Sequence, residues 1–163
     1  SQTDELTDIS NRRHMWRQLE DLLSGTHPSG TRQGSLCLFD LDLFKHINDR
    51  FGHQAGDTVL VDFARTVQGS IRLRDGFGRI GGEEFMLLMP DTSILNAKKI
   101  VDRIFAAIHE RRPLLNAPDF SYTFSAGLTE IKIDDTPQAI YSRADQALYQ
   151  AKHEGRDRLT LAA

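Results

Sequence analysis

Two apolar runs, Arg79-Ile80 and Phe85-Met86-Leu87-Leu88-Met89, flank Gly81-Gly82-Glu83-Glu84. A Gly-Gly pair between apolar runs predicts a β-hairpin, and Pro90 stops its second strand. The other apolar segments are separated by stretches of helical periodicity. A chain whose strands are joined both by a tight hairpin and by helices is expected to be α+β, with a mixed, mostly antiparallel central sheet of about five strands flanked by helices.

Met15, Leu19, Leu22 and Leu23 form one stripe of a helix over about Asn11 to Leu23, which stops at the loop Ser24 to Gly30. Leu36-Cys37-Leu38-Phe39 runs without interruption into Asp40-Leu41-Asp42, the pattern of a buried central strand with carboxylates at its C-terminal end. A helix is expected to begin after Gly56, with Asp57 as N-cap and Leu60, Phe63, Ala64 and Val67 as its apolar stripe, ending near Gly69. Ser93 to about Arg111 reads as a further helix. Tyr122, Phe124, Ala126 and Leu128 alternate with Ser121, Thr123, Ser125 and Gly127, which predicts a half-buried strand to about Ile133. A last helix over about Thr136 to His153 stops at Gly155 and is followed by a strand at Arg158 to Leu161.

With 163 residues the chain fits one domain, 1–163, large enough to bury a core without a metal or disulfide staple. Cys37 is the only cysteine, which excludes an intramolecular disulfide and cysteine-rich zinc sites and suits a reducing cytoplasm. No apolar run is long enough to span a bilayer, so no membrane contact by this domain is expected. Ser1 to Glu5 lacks an initiator Met and any signal-peptide pattern, which suggests a portion of a longer protein with an upstream regulatory region, the parent's membrane tethering being left open. A net charge of −3 disfavours a nucleic acid polymer as partner, since that would need a basic face.

Gly76-Phe77-Gly78-Arg79-Ile80-Gly81 formally matches the dinucleotide-binding glycine pattern, but no helix opens at these glycines to receive a pyrophosphate. Greater weight falls on the segment Phe39 to Asp49 taken together with Gly81 to Phe85. A strand ending in carboxylates beside a glycine hairpin that carries two more offers oxygen ligands from two rigid elements to a hard cation such as Mg²⁺. The glycines are expected to permit φ > 0 and to let a nucleotide approach the backbone closely.

At these residues the sequence resembles the GGDEF family, the diguanylate cyclases that make cyclic di-GMP from two GTP. Asp4 to Arg13 is similar to the family's D-x-L-T-[GD]-L-x-N-R-R entry segment, and Phe39 to Asp57 to its F-D-x-D-x-F-K-x-x-N-D-x-x-G-H-x-x-G-D segment. Gly81 to Phe85 is the Glu form of the signature, and Ala151 to Arg158 resembles A-K-x-x-G-R-N-R, with Asp157 where Asn is usual. Ile80 stands beside the signature where an aromatic is common.

The resemblance implies a nucleotidyl cyclase palm of ferredoxin-like type. It assigns Asp40, the Leu41 carbonyl and Glu83 to Mg²⁺ or Mn²⁺, two per GTP, and Glu83 also to deprotonation of the ribose 3′-hydroxyl. Glu84 ranks second, because strand alternation is expected to point it away. Lys45 would stabilise the transition state near the phosphates. Asn48 and Asp57 would read guanine, with Phe44, His53 and Gly82 beside the nucleotide; an N-cap role for Asp57 and a turn for Asn48 remain open. Lys152 and Arg156, taken as one helical turn apart on a shared face, would meet the γ-phosphate. Arg72 and Asp75 match an R-x-x-D inhibitory product site five residues before the signature. Catalysis would require a homodimer. The alternative is a non-enzymatic receptor for GTP or cyclic di-GMP.

Overall fold

A computed structural model describes residues 1–163. Ten elements follow one another: α1 (Arg12–Ser24), β1 (Gly34–Leu41), α2 (Phe44–Phe51), α3 (His53–Gln68), β2 (Gly76–Arg79), β3 (Glu84–Pro90), α4 (Ile94–His109), β4 (Phe124–Ile131), α5 (Pro137–His153) and β5 (Leu159–Leu161). The strands form one sheet in the order β2-β3-β1-β4-β5, antiparallel except for the β4/β5 pair, which α5 joins as a crossover. This is the mixed α+β sheet expected from the sequence.

Both faces of the sheet are covered, which explains why β1 is a continuous apolar run buried along its whole length. Cys37, Phe39 and Leu41 point into a core shared with α3 and α4, where Phe39, Phe63, Phe77, Phe85 and Phe124 meet edge to face or tilted, apart from the stacked Phe77/Phe85 pair. Leu36 and Leu38 point the other way, into a second core with Met15, Leu19 and Leu22 of α1 and Ile140, Ala144 and Leu148 of α5. No helix is long and apolar enough to cross a membrane.

The helix ends follow side-chain caps. Asn11, Ser93 and Thr136 each accept a backbone N–H from the first turn of α1, α4 and α5. The expected cap at Asp57 is not found. The helix starts four residues earlier, after Gly52, whose φ of 94° breaks the chain between α2 and α3, so Asp57 lies inside α3. The eight-residue α2, which has only Ile47 fully buried, was absent from the sequence reading, and it places Asn48 on a helix rather than in a turn. Nor is β4 half-buried. Ser125, Gly127 and Thr129 are covered by α5, and only Glu130 is exposed.

A partly buried ion pair fastens the β4–α5 connection. Arg143 donates to both oxygens of Asp135, at 2.6 and 2.7 Å, and also to Thr129 Oγ1 and the Glu130 carbonyl. The Arg143 bonds hold the Asp135 carboxyl below the ordinary aspartate range, against the opposing pull of burial. Asp135→Asn should therefore cost about 2 kcal/mol at pH 7. A depressed folded-state pKa contributes stability above the unfolded value and loses it as pH falls through the folded one. The gap between wild type and D135N in urea midpoint should narrow below about pH 4.

Candidate active site

Because β3 runs antiparallel to β1, the β2–β3 turn lies beside the C-terminal end of β1. The Leu41 N–H donates to the Glu83 carbonyl at 3.1 Å, joining the two segments. Arg79 holds the turn from beneath: its guanidinium donates to the Gly81 and Gly82 carbonyls, at 2.7 Å for the shortest bond, and reaches Asp4 at 3.3 Å. The sequence gives no sign of this role for Arg79. Neither Gly81 nor Gly82 has a positive φ, so the expected left-handed backbone is not why glycines stand here. A Cβ at Gly82 would meet nothing within 4 Å; the position opens space above the turn.

Asp40 is buried at the strand end, and Lys152 Nζ of α5 donates to its Oδ2 at 2.6 Å. Burial nonetheless leaves the Asp40 carboxyl with a raised pKa, opposed by Lys152 and Arg156 and reinforced by Asp42. Glu83 is also raised, by burial first and then by Asp40 and Glu84. Glu84 pairs directly opposite Asp40, and opposite residues of an antiparallel pair share a face. Alternation therefore does not turn it away from Asp40, contrary to expectation.

The chain leaves β1 through Leu43, which has φ 54°, and enters α2 without a side-chain cap, so the N–H groups of its first turn are unclaimed by any side chain. Lys45 is exposed on that turn. Phe44 and Asn48, one turn apart, both pack on Gly56 of α3, where a Cβ would collide with the Asn48 amide. Asn48 Oδ1 is buried without a hydrogen-bond partner. Asp57 follows Gly56 and lines an open groove with Leu6, Val61 and Arg65, while His53 is exposed at the start of α3.

Lys152 and Arg156 do not share a helix face. Helix α5 ends at His153, and Arg156 sits beyond it in a turn where Gly155, Arg156 and Asp157 have φ of 121°, 66° and 48°. The two cations nevertheless converge, since both act on Asp40. At the far end of the β2–β3 pair, Arg72 donates to both oxygens of the fully buried Asp75, at 2.7 and 3.1 Å, and to Thr92 Oγ1 at 2.6 Å.

The donor set fits a hard divalent cation. Asp40 and Glu83 are carboxylates whose proton affinity is raised chiefly by burial, and the Leu41 carbonyl directly follows Asp40 in the chain. No three His, Cys, Asp or Glu side chains cluster closely enough to cage an ion alone. A cation here would complete its shell with water and substrate oxygens, the usual arrangement for Mg²⁺.

The mixed α+β sheet thus brings a buried strand-end carboxylate against a Gly-Gly-Glu-Glu turn. The family model described as diguanylate cyclase, GGDEF domain, matches residues 1–158, and the chain belongs to that family. It is 41% identical over 162 residues to diguanylate cyclase DgcP of Pseudomonas aeruginosa, covering 98% of this chain and 24% of that protein. Identity to response regulator PleD of Caulobacter vibrioides is 40% over 164 residues, covering 95% of this chain and 35% of PleD. The chain thus spans about a quarter to a third of these relatives. Among solved structures, diguanylate cyclase SiaD of P. aeruginosa, in complex with its activator SiaC, superposes with a TM-score of 0.93 at 36% identity, over 99% of this chain and 62% of that one. The GGDEF domain of DgcB from Caulobacter crescentus, in complex with c-di-GMP, gives 0.91 at 29% identity, over 99% and 95%.

Proposed function

We propose that this domain condenses two GTP into cyclic di-GMP, releasing two pyrophosphates. The observation that carries the reading is the meeting of Asp40 and Glu83, both raised in proton affinity, in a chain matched by the GGDEF model over residues 1–158. Asp40, the Leu41 carbonyl and Glu83 would hold Mg²⁺ or Mn²⁺, two per nucleotide. When bound, these cations neutralise charge developing on the α-phosphate and the departing pyrophosphate.

The chain's own groups do the rest. Glu83, a stronger base than an ordinary carboxylate, takes the 3′-hydroxyl proton as that oxygen bonds to the α-phosphorus of the other nucleotide and the bond to pyrophosphate breaks. Glu84, on the Asp40 face, adds negative charge that keeps Glu83 basic. The uncapped start of α2 and Lys45 meet the phosphates, with Lys152 and Arg156 at the γ-phosphate end. Asn48 Oδ1, left without a donor by the protein, receives one from the guanine edge, and Asp57 accepts beside it. Phe44 packs the floor, His53 borders the base, and Gly82 leaves room for the ribose.

Each domain supplies one 3′-hydroxyl and one α-phosphate, so a turnover needs two domains related by a two-fold axis. Pyrophosphate release at low protein concentration should rise with the square of domain concentration. A first-order dependence in a domain shown to be monomeric at those concentrations would exclude the two-domain reaction. Nucleotide binding with no release at any concentration would instead identify a receptor.

Product would bind at Arg72 and Asp75 and hold domains in unproductive contact. Asp75 is already claimed by Arg72, so product would meet the partly exposed Arg72 face first. Arg72→Ala should raise the cyclic di-GMP concentration needed for half-inhibition at least about tenfold. It should also lower the melting temperature, because it strips a buried carboxylate of its cation.

A further inference from the structure

Asp42, two residues beyond Asp40, has no part in the chemistry above, yet it is buried and its oxygens accept from two other segments of the chain. Oδ1 accepts from Ser125 Oγ at 2.7 Å, and Oδ2 from Thr123 Oγ1 at 2.6 Å. Oδ2 also accepts the backbone N–H of Asp157 at 3.0 Å. That N–H belongs to the turn in which Arg156 and Asp157, neither of them glycine, both adopt left-handed φ. Two such residues in succession persist only where their surroundings hold them.

The turn is also tied to β4 by the Ala126 N–H, which donates to the Arg158 carbonyl at 2.9 Å, and its other ties are of different kinds. The Arg156 N–H donates to the Ala151 carbonyl at 3.0 Å, and Arg158 Nε to the Arg156 carbonyl at 3.0 Å, both within the turn's own neighbourhood. The Asp157 side chain meets His109 Nε2 of α4 at 2.8 Å, with both side chains 40% or more exposed. Only the Asp42 bond joins the left-handed pair to the end of β1, the strand that carries Asp40.

We propose that Asp42 is a positioning residue: through the Asp157 N–H it presets the left-handed turn and so delivers Arg156 to the triphosphate end of the site before nucleotide arrives. The proposal rests on the γ-phosphate reading of Arg156 given above. Preorganisation of this kind strengthens recognition of the group the arginine meets, without adding a contact of its own.

The test compares binding of 3′-deoxy-GTP and 3′-deoxy-GDP, which lack the attacking hydroxyl, by calorimetry with Mg²⁺. Wild type should prefer the triphosphate. Arg156→Ala should reduce that preference about tenfold, the worth of about 1.4 kcal/mol. Asp42→Ala, which removes the acceptor altogether, should reduce it by a similar factor with diphosphate affinity unchanged, and the double variant with R156A should lose no more than either alone. His109→Gln, which removes only the exposed side-chain tie, should keep the preference. Should D42A fail to fold, an ester in place of the Arg156–Asp157 amide, introduced by ligation of a synthetic C-terminal segment, removes the same N–H while leaving φ free and should show the same selective loss.

Weakening of both nucleotides alike in D42A, an additive double variant, or full triphosphate preference in D42A or in the ester-linked protein would overturn the proposal while leaving Arg156 in place. Full preference in R156A would remove Arg156 from the γ-phosphate, and the Asp42 proposal with it.

Discussion

Glu83→Gln should lower pyrophosphate release from GTP by about a thousandfold or more while leaving the domain at least as stable as wild type. The two effects have one electrostatic origin. Burial, Asp40 and Glu84 all raise the pKa of Glu83, so its ionised form is disfavoured in the folded protein. For a carboxyl with a raised folded-state pKa, the contribution to stability is present at low pH and is lost as pH rises through that pKa. At neutral pH a neutral isostere therefore relieves repulsion, and the melting temperature of E83Q should stay level or rise. Catalysis needs the same charge, both to accept the 3′-hydroxyl proton and to hold a cation, and losing a positioned base alone typically costs a factor of 10²–10⁴. A residue with a purely structural role would show the reverse pattern, lower stability with activity falling in proportion.

Gly127→Ala should have the largest effect on folding. In β4, Gly127 lies directly under α5, and a Cβ there would fall against the Ala144 carbonyl, the Leu148 N–H and the Ala147 backbone. These are main-chain atoms of a helix and cannot swing aside as a side chain would. Relief requires α5 to lift from the sheet, loosening its contacts with Leu36 and Leu38 and moving Lys152 away from Asp40. Overpacking of this kind costs about 3 kcal/mol or more, a large part of the 5–15 kcal/mol that typically holds a domain together. Denaturant titration should show the loss directly. Gly82→Ala, with nothing within 4 Å of its new methyl, should leave the same titration unchanged.

Much of this architecture was legible because burial wrote it into the pattern. The unbroken run Leu36 to Phe39 announced a strand covered on both faces, and Ser93 and Thr136 announced helix starts that the structure confirms by their side-chain caps. Hard-to-read segments were those whose conformation depends on distant partners. Helix α2 is eight residues long, enters from a left-handed Leu43 and fully buries only Ile47, so it has almost no stripe to detect. Ser125 and Gly127 read as the exposed face of β4 because they are small, but small residues are what a closely packed α5 requires. The spacing of Lys152 and Arg156 suggested a common helix face, although Gly155 had already ended the helix and Arg156 returns through a left-handed turn. The tasks of Arg79 and Asp42 left no local signal, since their partners, side chains and backbone groups alike, are brought near only by the fold.

The central claim is tested most directly by incubating the wild-type domain with GTP and Mg²⁺, under artificial dimerisation if necessary, and identifying the nucleotide product by chromatography and mass spectrometry. Cyclic di-GMP should accumulate with two pyrophosphates released for each molecule formed, and neither should appear with E83Q. GTP recovered unchanged from a forced dimer that demonstrably binds it would contradict the account.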